Sequence, residues 1–335
     1  MNKILLALDE GTLSAQQQQQ IRQLAPDLEI VQTTDEQEIA AMLDTIEIVA
    51  GQLPQDLLPK ATNLRWVQQW SAGADWLLDH PEAQELDFIL TNASGVHAIP
   101  ISEHIFAFLL AFARNLPQAW QAQQQRVWMK EAAQAKDAPK HDSATYSRAD
   151  VFEVAGKTML ILGVGEIGEY TAKIASALGM EVIGLRHNPN KSTPGVDEMV
   201  GADDLLDALP QADVVVSTVP LTEETRHMLD QKAFDAMKEG ALFINIGRGG
   251  TVDQAALIEA LQHGKLAAAG LDVFEEEPLP HDSPLWAMDN VLITPHSSGV
   301  TPKYNERAFA IFLDNLKRYR AGEKLHNVVD KAQGY

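Results

Sequence analysis

The sequence predicts an α/β protein built on two parallel sheets. Two observations carry that prediction. Over residues 1 to 98, short apolar runs alternate with polar or helical stretches. The same alternation restarts near residue 156, where its first strand runs into a glycine-rich turn and a helix. Strands that alternate with helical segments cannot pair as hairpins, so they assemble as layered parallel sheets.

In the first half the apolar runs are "KILLAL", "LEIV", "IEIVA", "LRWVQQW" and "DFILTN". The opening "MNKILLALDE" has too short an apolar run for a signal peptide and is expected to form the first strand. "SAQQQQQIRQL" looks like low complexity, but its helix formers, with Leu13, Ile21 and Leu24, predict a solvated helix. From "PISEHIFAFLLAFARNLPQAW" the pattern predicts one long helix near 101–125, apolar on most faces and so buried on several sides. A subunit interface is the favoured reading, with a place between domains as the other. Its core "IFAFLLAFA" is too short to span a bilayer. Residues 129 to 153 are polar and aperiodic, and read as a linker or surface loop.

The second layer begins with "GKTMLILGVGEIGEYTAKIASALGMEVIGLRHN". It continues through strands at "ADVVVSTV", "ALFINIG", "LAAAGLDVF" and "VLIT", with helices such as "DQAALIEALQHG" between them. The tail from residue 300 reads as one amphipathic helix. The expected domains are therefore 1–98 with 296–335, and 99–295.

Bulk properties narrow the function. A chain of 335 residues has room for two domains. A net charge of −21 argues against nucleic acid and anionic membranes as partners, because both need basic patches. With no cysteine, disulfides, thiolate nucleophiles and Cys-ligated metals are excluded. No His/Asp/Glu cluster has ligand spacing, so no metal is expected. A cytoplasmic location is expected.

Gly163, Gly165 and Gly168 form GxGxxG between a strand and a helix. The first glycine permits a tight turn and the second lets a pyrophosphate approach the backbone. The third lets helix and strand pack closely, while amides at the helix start face the anion. Glu166 and Ile167 lie in the same loop. The Glu166 charge suits the helix dipole but repels phosphate, so its side chain should point away. Sheets of this kind usually place an acid at the end of the next strand to hold the ribose of NAD. Here no Asp or Glu occurs between Glu181 and Asp197, and Arg186 takes the position, followed by His187, Asn188 and Lys191. That set suits a 2′-phosphate, so NADP(H) is the expected cofactor, with NAD(H) as the second choice.

Three further residues sit at strand ends. Arg248 is wrapped by Gly247, Gly249 and Gly250 in "FINIGRGGTVD"; Glu277 precedes a proline in "LDVFEEEPLP"; His296 follows the last strand in "VLITPHSSGV". Each alone has a plain structural use: an arginine tying down a turn, a charged loop, a loop histidine satisfied by a carbonyl. Together they lie at the carboxyl edge of one parallel sheet, where such folds bind ligands. An arginine for a carboxylate, a histidine for a proton and a carboxylate to orient it suit 2-oxo acid reduction.

The chain resembles the D-isomer-specific 2-hydroxyacid dehydrogenases over nearly its whole length, in the branch of glyoxylate and hydroxypyruvate reductases. The stretches that carry the resemblance are "WSAGADWL", "GVHAIPISEH", "GKTMLILGVGEIG", "STVPLTEETRHML", "INIGRGGTVD", "DVFEEEPLP" and "LITPHSSGVT". The resemblance implies a flavodoxin-like substrate domain, an inserted Rossmann domain and a homodimer built through the long helix. It implies Arg248, Glu277 and His296 as the catalytic trio and backbone at Ala72 and Gly73 for the substrate carboxylate. Thr218, Val219 and Pro220 are expected on the nicotinamide side, and Asp272 is expected among the cofactor contacts. A regulatory dinucleotide-binding protein without turnover is the alternative, and a glycine loop for S-adenosylmethionine is disfavoured by the trio.

Overall fold

The computed structural model describes residues 1–74, 76–131, 145–146 and 151–331. The chain divides into two units, Met1–His97 with Val300–Tyr335, and Ala98–Gly299. His296 thus falls in the second unit, four residues before the chain returns to the first.

The first unit holds β1 (Lys3–Ala7), β2 (Glu29–Gln32), β3 (Ile46–Gly51), β4 (Trp66–Gln68) and β5 (Ile89–Thr91). They form one parallel sheet in the order β2-β1-β3-β4-β5. Successive residues of a strand point to opposite faces. Accordingly Ile4 and Leu6 pack with Ile48, Trp66 and Phe312 on one side, while Leu5 packs with Val49, Val67 and Leu90 on the other. Covering both faces is what lets Ile4, Leu5 and Leu6 follow one another in β1, all fully buried. The helix Tyr304–Ala321 supplies part of that cover, and Trp66 stacks on Phe312 and on Tyr319 with ring centroids 5.5 Å apart in each pair. The glutamine-rich tract is the helix Ala15–Leu24. Ser14 caps it, accepting from the Gln17 amide while the Gln17 side chain reaches back to the cap.

Within 129–153, β6 (Lys130–Glu131) pairs in parallel with β7 (Thr145–Tyr146), where a loop was expected; 132–144 and 147–150 lie outside the described residues. The second unit's sheet contains β8 (Thr158–Leu162), β9 (Glu181–Leu185), β10 (Glu198–Val200), β11 (Val214–Ser217), β12 (Ala241–Asn245), β13 (Leu266–Leu271) and β14 (Val291–Ile293). Their order is β10-β9-β8-β11-β12-β13-β14, and every pairing is parallel. The order reverses between β8 and β11, which opens a crevice at their carboxyl ends.

The single long helix expected near 101–125 is two helices, Ala98–Ala113 and Leu116–Gln124, bent by 71°. Asn115 takes a left-handed conformation, φ 52°, and Pro117 stands in the first turn of the second helix. Proline lacks the N–H that would continue the ladder, and its ring clashes with the preceding turn. The first helix buries Ile105, Phe106, Phe108 and Leu109 in the core of its own unit. A Cβ on Gly270 of β13 would lie 2.6 Å from the Phe108 ring, so only glycine lets the helix settle there. Among the described residues no single helix is long and apolar enough to cross a membrane.

Candidate active site

The carboxyl edge of the second sheet collects most of the singled-out residues, strand by strand. At β8, Gly163 has φ +93°, and a Cβ on Gly168 would lie 2.4 Å from the Gly163 carbonyl oxygen. The turn therefore closes onto the helix Glu166–Ala177, whose N-cap, Gly165, contributes no side-chain cap. The amides of Gly165, Glu166 and Ile167 have no hydrogen-bond partner among the described residues. Space beside Gly165 is open, with nothing within 4 Å of an added Cβ. Unpaired amides at an uncapped helix start, in a cradle that a side chain would fill, fit the pyrophosphate of a dinucleotide. Glu166 is exposed.

At β9, the Arg186 amide donates to the Val200 carbonyl at 3.2 Å, which anchors the residue at the strand end. Its guanidinium has no hydrogen bond or ion pair to any described residue. His187, Asn188 and Lys191 follow, all exposed, and the Asn188 side-chain oxygen accepts from the Asn190 amide at 3.1 Å.

At β11, the Thr218 hydroxyl donates to the Gly163 carbonyl at 2.6 Å, tying this strand end to the glycine turn. Pro220 accepts from the Thr225 hydroxyl at 2.7 Å, and Val219 is buried. Glycines draw in the next turn. A Cβ on Gly247 would lie 2.7 Å from the Val219 carbonyl oxygen, and one on Gly249 would lie 1.8 Å from that of Phe274. The turn bearing Arg248 is thus held between the turns after β11 and β13. The Arg248 carbonyl accepts from Asn245 Nδ2 at 3.2 Å and Thr251 Oγ1 at 2.7 Å, and its Nη1 donates to the Gly247 carbonyl at 2.9 Å.

At β13 and β14 the geometry is tightest. His296 Nδ1 lies 2.8 Å from Glu277 Oε2, and the Phe274 amide donates to Glu277 Oε1 at 3.0 Å. An ionised carboxylate only accepts, so Nδ1 carries a proton and Nε2 faces away from the pair. The His296 side chain is 50% exposed. Asp272, expected among the cofactor contacts, meets several protein donors. It is fully buried, and its carboxylate accepts from Thr294 Oγ1 at 2.5 Å and from the amides of Ser297 at 2.8 Å and Ser298 at 3.0 Å. The position after β13 puts it beneath the His296 loop, where those donors occupy its oxygens.

In the first unit, the loop after β4 carries Ala72 and Gly73. Asn92 Nδ2 donates to the Ala72 carbonyl at 2.8 Å, and Gln69 Nε2 donates to that of Gly73. The carbonyls are thereby pinned, while both amides lack a hydrogen-bond partner among the described residues.

Residues 106–298 match the family profile described as "D-isomer specific 2-hydroxyacid dehydrogenase, NAD binding domain". The chain belongs to this family. Members interconvert 2-oxo and D-2-hydroxy acids with a nicotinamide dinucleotide, and this chain is an oxidoreductase of that kind. It is 34% identical over 291 residues to D-3-phosphoglycerate dehydrogenase of Methanocaldococcus jannaschii, covering 86% of this chain and 52% of that protein. The chain therefore spans about half the length of that relative. It is 33% identical to glyoxylate reductase of Aeropyrum pernix, over 85% of this chain and 82% of the relative. The crystal structure of an NADPH-dependent glyoxylate/hydroxypyruvate reductase from Sinorhizobium meliloti, in complex with NADP and sulfate, superposes with a TM-score of 0.79 at 27% identity, covering 100% of both chains.

For this family member, sequence reasoning did not single out His104 and Thr294, which join Asp272 below the His296 loop with a His104 Nε2–Thr294 Oγ1 distance of 3.0 Å. The only signal was their presence in "GVHAIPISEH" and "LITPHSSGVT". Among the described residues no group of three or more His, Asp or Glu side chains is placed to hold a metal ion.

Proposed function

We propose that this protein reduces small 2-oxo acids of the glyoxylate and hydroxypyruvate type, using NADPH in preference to NADH. The observation that carries this reading is the His296–Glu277 pair, 2.8 Å apart, on the same sheet edge as the glycine cradle and Arg248.

Arg248 binds the substrate carboxylate, its planar fork matching two oxygens at once. The unpaired amides of Ala72 and Gly73 are suited to a carboxylate and are assigned to substrate binding. Thr218, Val219 and Pro220 line the nicotinamide side. NADPH, when bound, supplies hydride to the carbonyl carbon. His296 donates a proton from Nε2 to the carbonyl oxygen, so the product is a hydroxyl and the imidazole is left neutral. Glu277 holds Nδ1–H, orients the ring and balances its charge before transfer. Half-exposed, His296 regains its proton from solvent.

Support for NADPH comes from Arg186. A guanidinium with no hydrogen bond or ion pair to any described residue, in a chain of net charge −21 and at a strand end without an acid, suits a 2′-phosphate. The exposed apolar residues Leu110, Leu116 and Trp120 on the bent helix pair, the last 62% exposed, support a homodimer through that stretch. A cytoplasmic location completes the reading. The deciding experiment is an initial-rate panel of glyoxylate, hydroxypyruvate, phenylpyruvate and branched 2-oxo acids, each with NADPH and NADH. Turnover of none of them would leave a dinucleotide-binding regulator as the better account.

A further inference from the structure

His296 sits on an unusual backbone. Its φ is +50°, a left-handed conformation that is strained for a residue bearing a β-carbon. Something must hold the loop there, and the hydrogen bonds show what does. The His296 amide donates to the Asp272 carbonyl at 2.8 Å, and the next two amides donate to the Asp272 carboxylate. No Lys or Arg pairs with that buried carboxylate among the described residues. Its charge is met by two amides and the Thr294 hydroxyl.

The direction of the remaining proton follows. A carboxylate only accepts, so Thr294 spends its single hydroxyl proton on Asp272 Oδ1. The Thr294 oxygen must then accept from its other neighbour, His104 Nε2, at 3.0 Å. His104 is therefore the outermost donor of a chain that runs His104 to Thr294 to Asp272 and ends on the loop of His296. Its ring is fixed edge-on against Phe108, centroids 4.6 Å apart, on a helix that Gly270 lets settle against β13. Burial holds His104 below the ordinary imidazole range, against the pull of Asp272, which keeps it neutral near pH 7.

We propose that His104 is a positioning residue: through Thr294 and Asp272 it holds the His296 loop in the left-handed conformation from which Nδ1 meets Glu277. The inference rests on the reading of His296 as the proton donor. His104 touches no reacting atom in this account, so its loss should lower the rate of proton transfer and leave binding alone.

The test compares His104→Leu, which removes the donor, with His104→Gln, whose amide nitrogen reaches the same place. Thr294→Val and Thr294→Ser form a second, near-isosteric pair that serves if His104→Leu does not fold. The donor-less variants should lose about tenfold in kcat for 2-oxo acid reduction with both KM values within about twofold. His104→Gln and Thr294→Ser should recover most of the loss. In a His296→Asn background, His104→Leu should have no further effect, because the residue it positions is gone. Wild-type kcat in His104→Leu or in Thr294→Val, or equal damage from Leu and Gln, overturns the inference while an inactive His296→Asn leaves the proton-donor reading intact. Full activity in His296→Asn overturns both.

Discussion

His296 Nδ1 and Glu277 Oε2 are 2.8 Å apart, and the second Glu277 oxygen is held by the Phe274 amide. The carboxylate cannot swing away without abandoning a backbone donor, so the imidazole is oriented by a fixed partner. His296→Asn should lower the reduction rate by roughly 100-fold or more while dinucleotide binding stays nearly unchanged. Glu277→Gln keeps the shape but loses the charge opposite Nδ1, and should cost about tenfold or more in kcat. Stopped-flow rates with cofactor titration by fluorescence check both.

Arg248 is presented by a turn that two glycines press against neighbouring strand ends. Arg248→Lys keeps the charge but not the fork. kcat/KM for 2-oxo acids should fall at least about tenfold, equivalent to about 1.4 kcal/mol. Unchanged steady-state kinetics in a folded variant would remove Arg248 from the carboxylate site.

The glycine beside it has its own consequence. A Cβ at position 249 would lie 1.8 Å from the Phe274 carbonyl oxygen, a backbone atom that cannot step aside. Gly249→Ala should force the Arg248 turn away from the turn that leads to Glu277. Loss of at least about 1–3 kcal/mol of stability is expected, with a fall in kcat/KM larger than the change in cofactor affinity. Urea denaturation and steady-state assays measure the two effects separately.

Arg186 bears on cofactor choice. kcat/KM should favour NADPH over NADH by about tenfold or more, the size of one charge-assisted contact. Arg186→Asp should abolish or reverse the preference and spare the maximal rate. A wild-type preference for NADH, at fixed ionic strength, would sink the assignment.

His104 links stability to pH. Burial lowers its folded-state titration below the ordinary 6.5. Unfolding therefore takes up a proton in the window between those two values, and stability falls as pH drops through it. Against His104→Gln, which has no such group, the wild type should lose stability between pH 7.5 and pH 5. Paired urea melts at the two pH values measure the difference, and an equal response in both proteins would refute it.

The sequence by itself determined the two parallel sheets, the glycine turn and the strand ends that carry Arg186, Arg248, Glu277 and His296. Those are local signals: apolar periodicity marks a strand, glycine marks a backbone that must turn or approach closely, and both act within a few residues. Even the break of the apolar helix was written locally, in Asn115 and Pro117, though the apolar run around it pointed to one long helix. Tertiary structure alone decided which strand ends become neighbours. The order β12-β13-β14 seats the His296 loop over Asp272 and brings His104 onto Thr294 across 190 residues of chain. It also makes the buried Asp272 the anchor of that loop. Pairings over that separation depend on how whole layers pack, and no window of sequence records which polar group a buried carboxylate will meet.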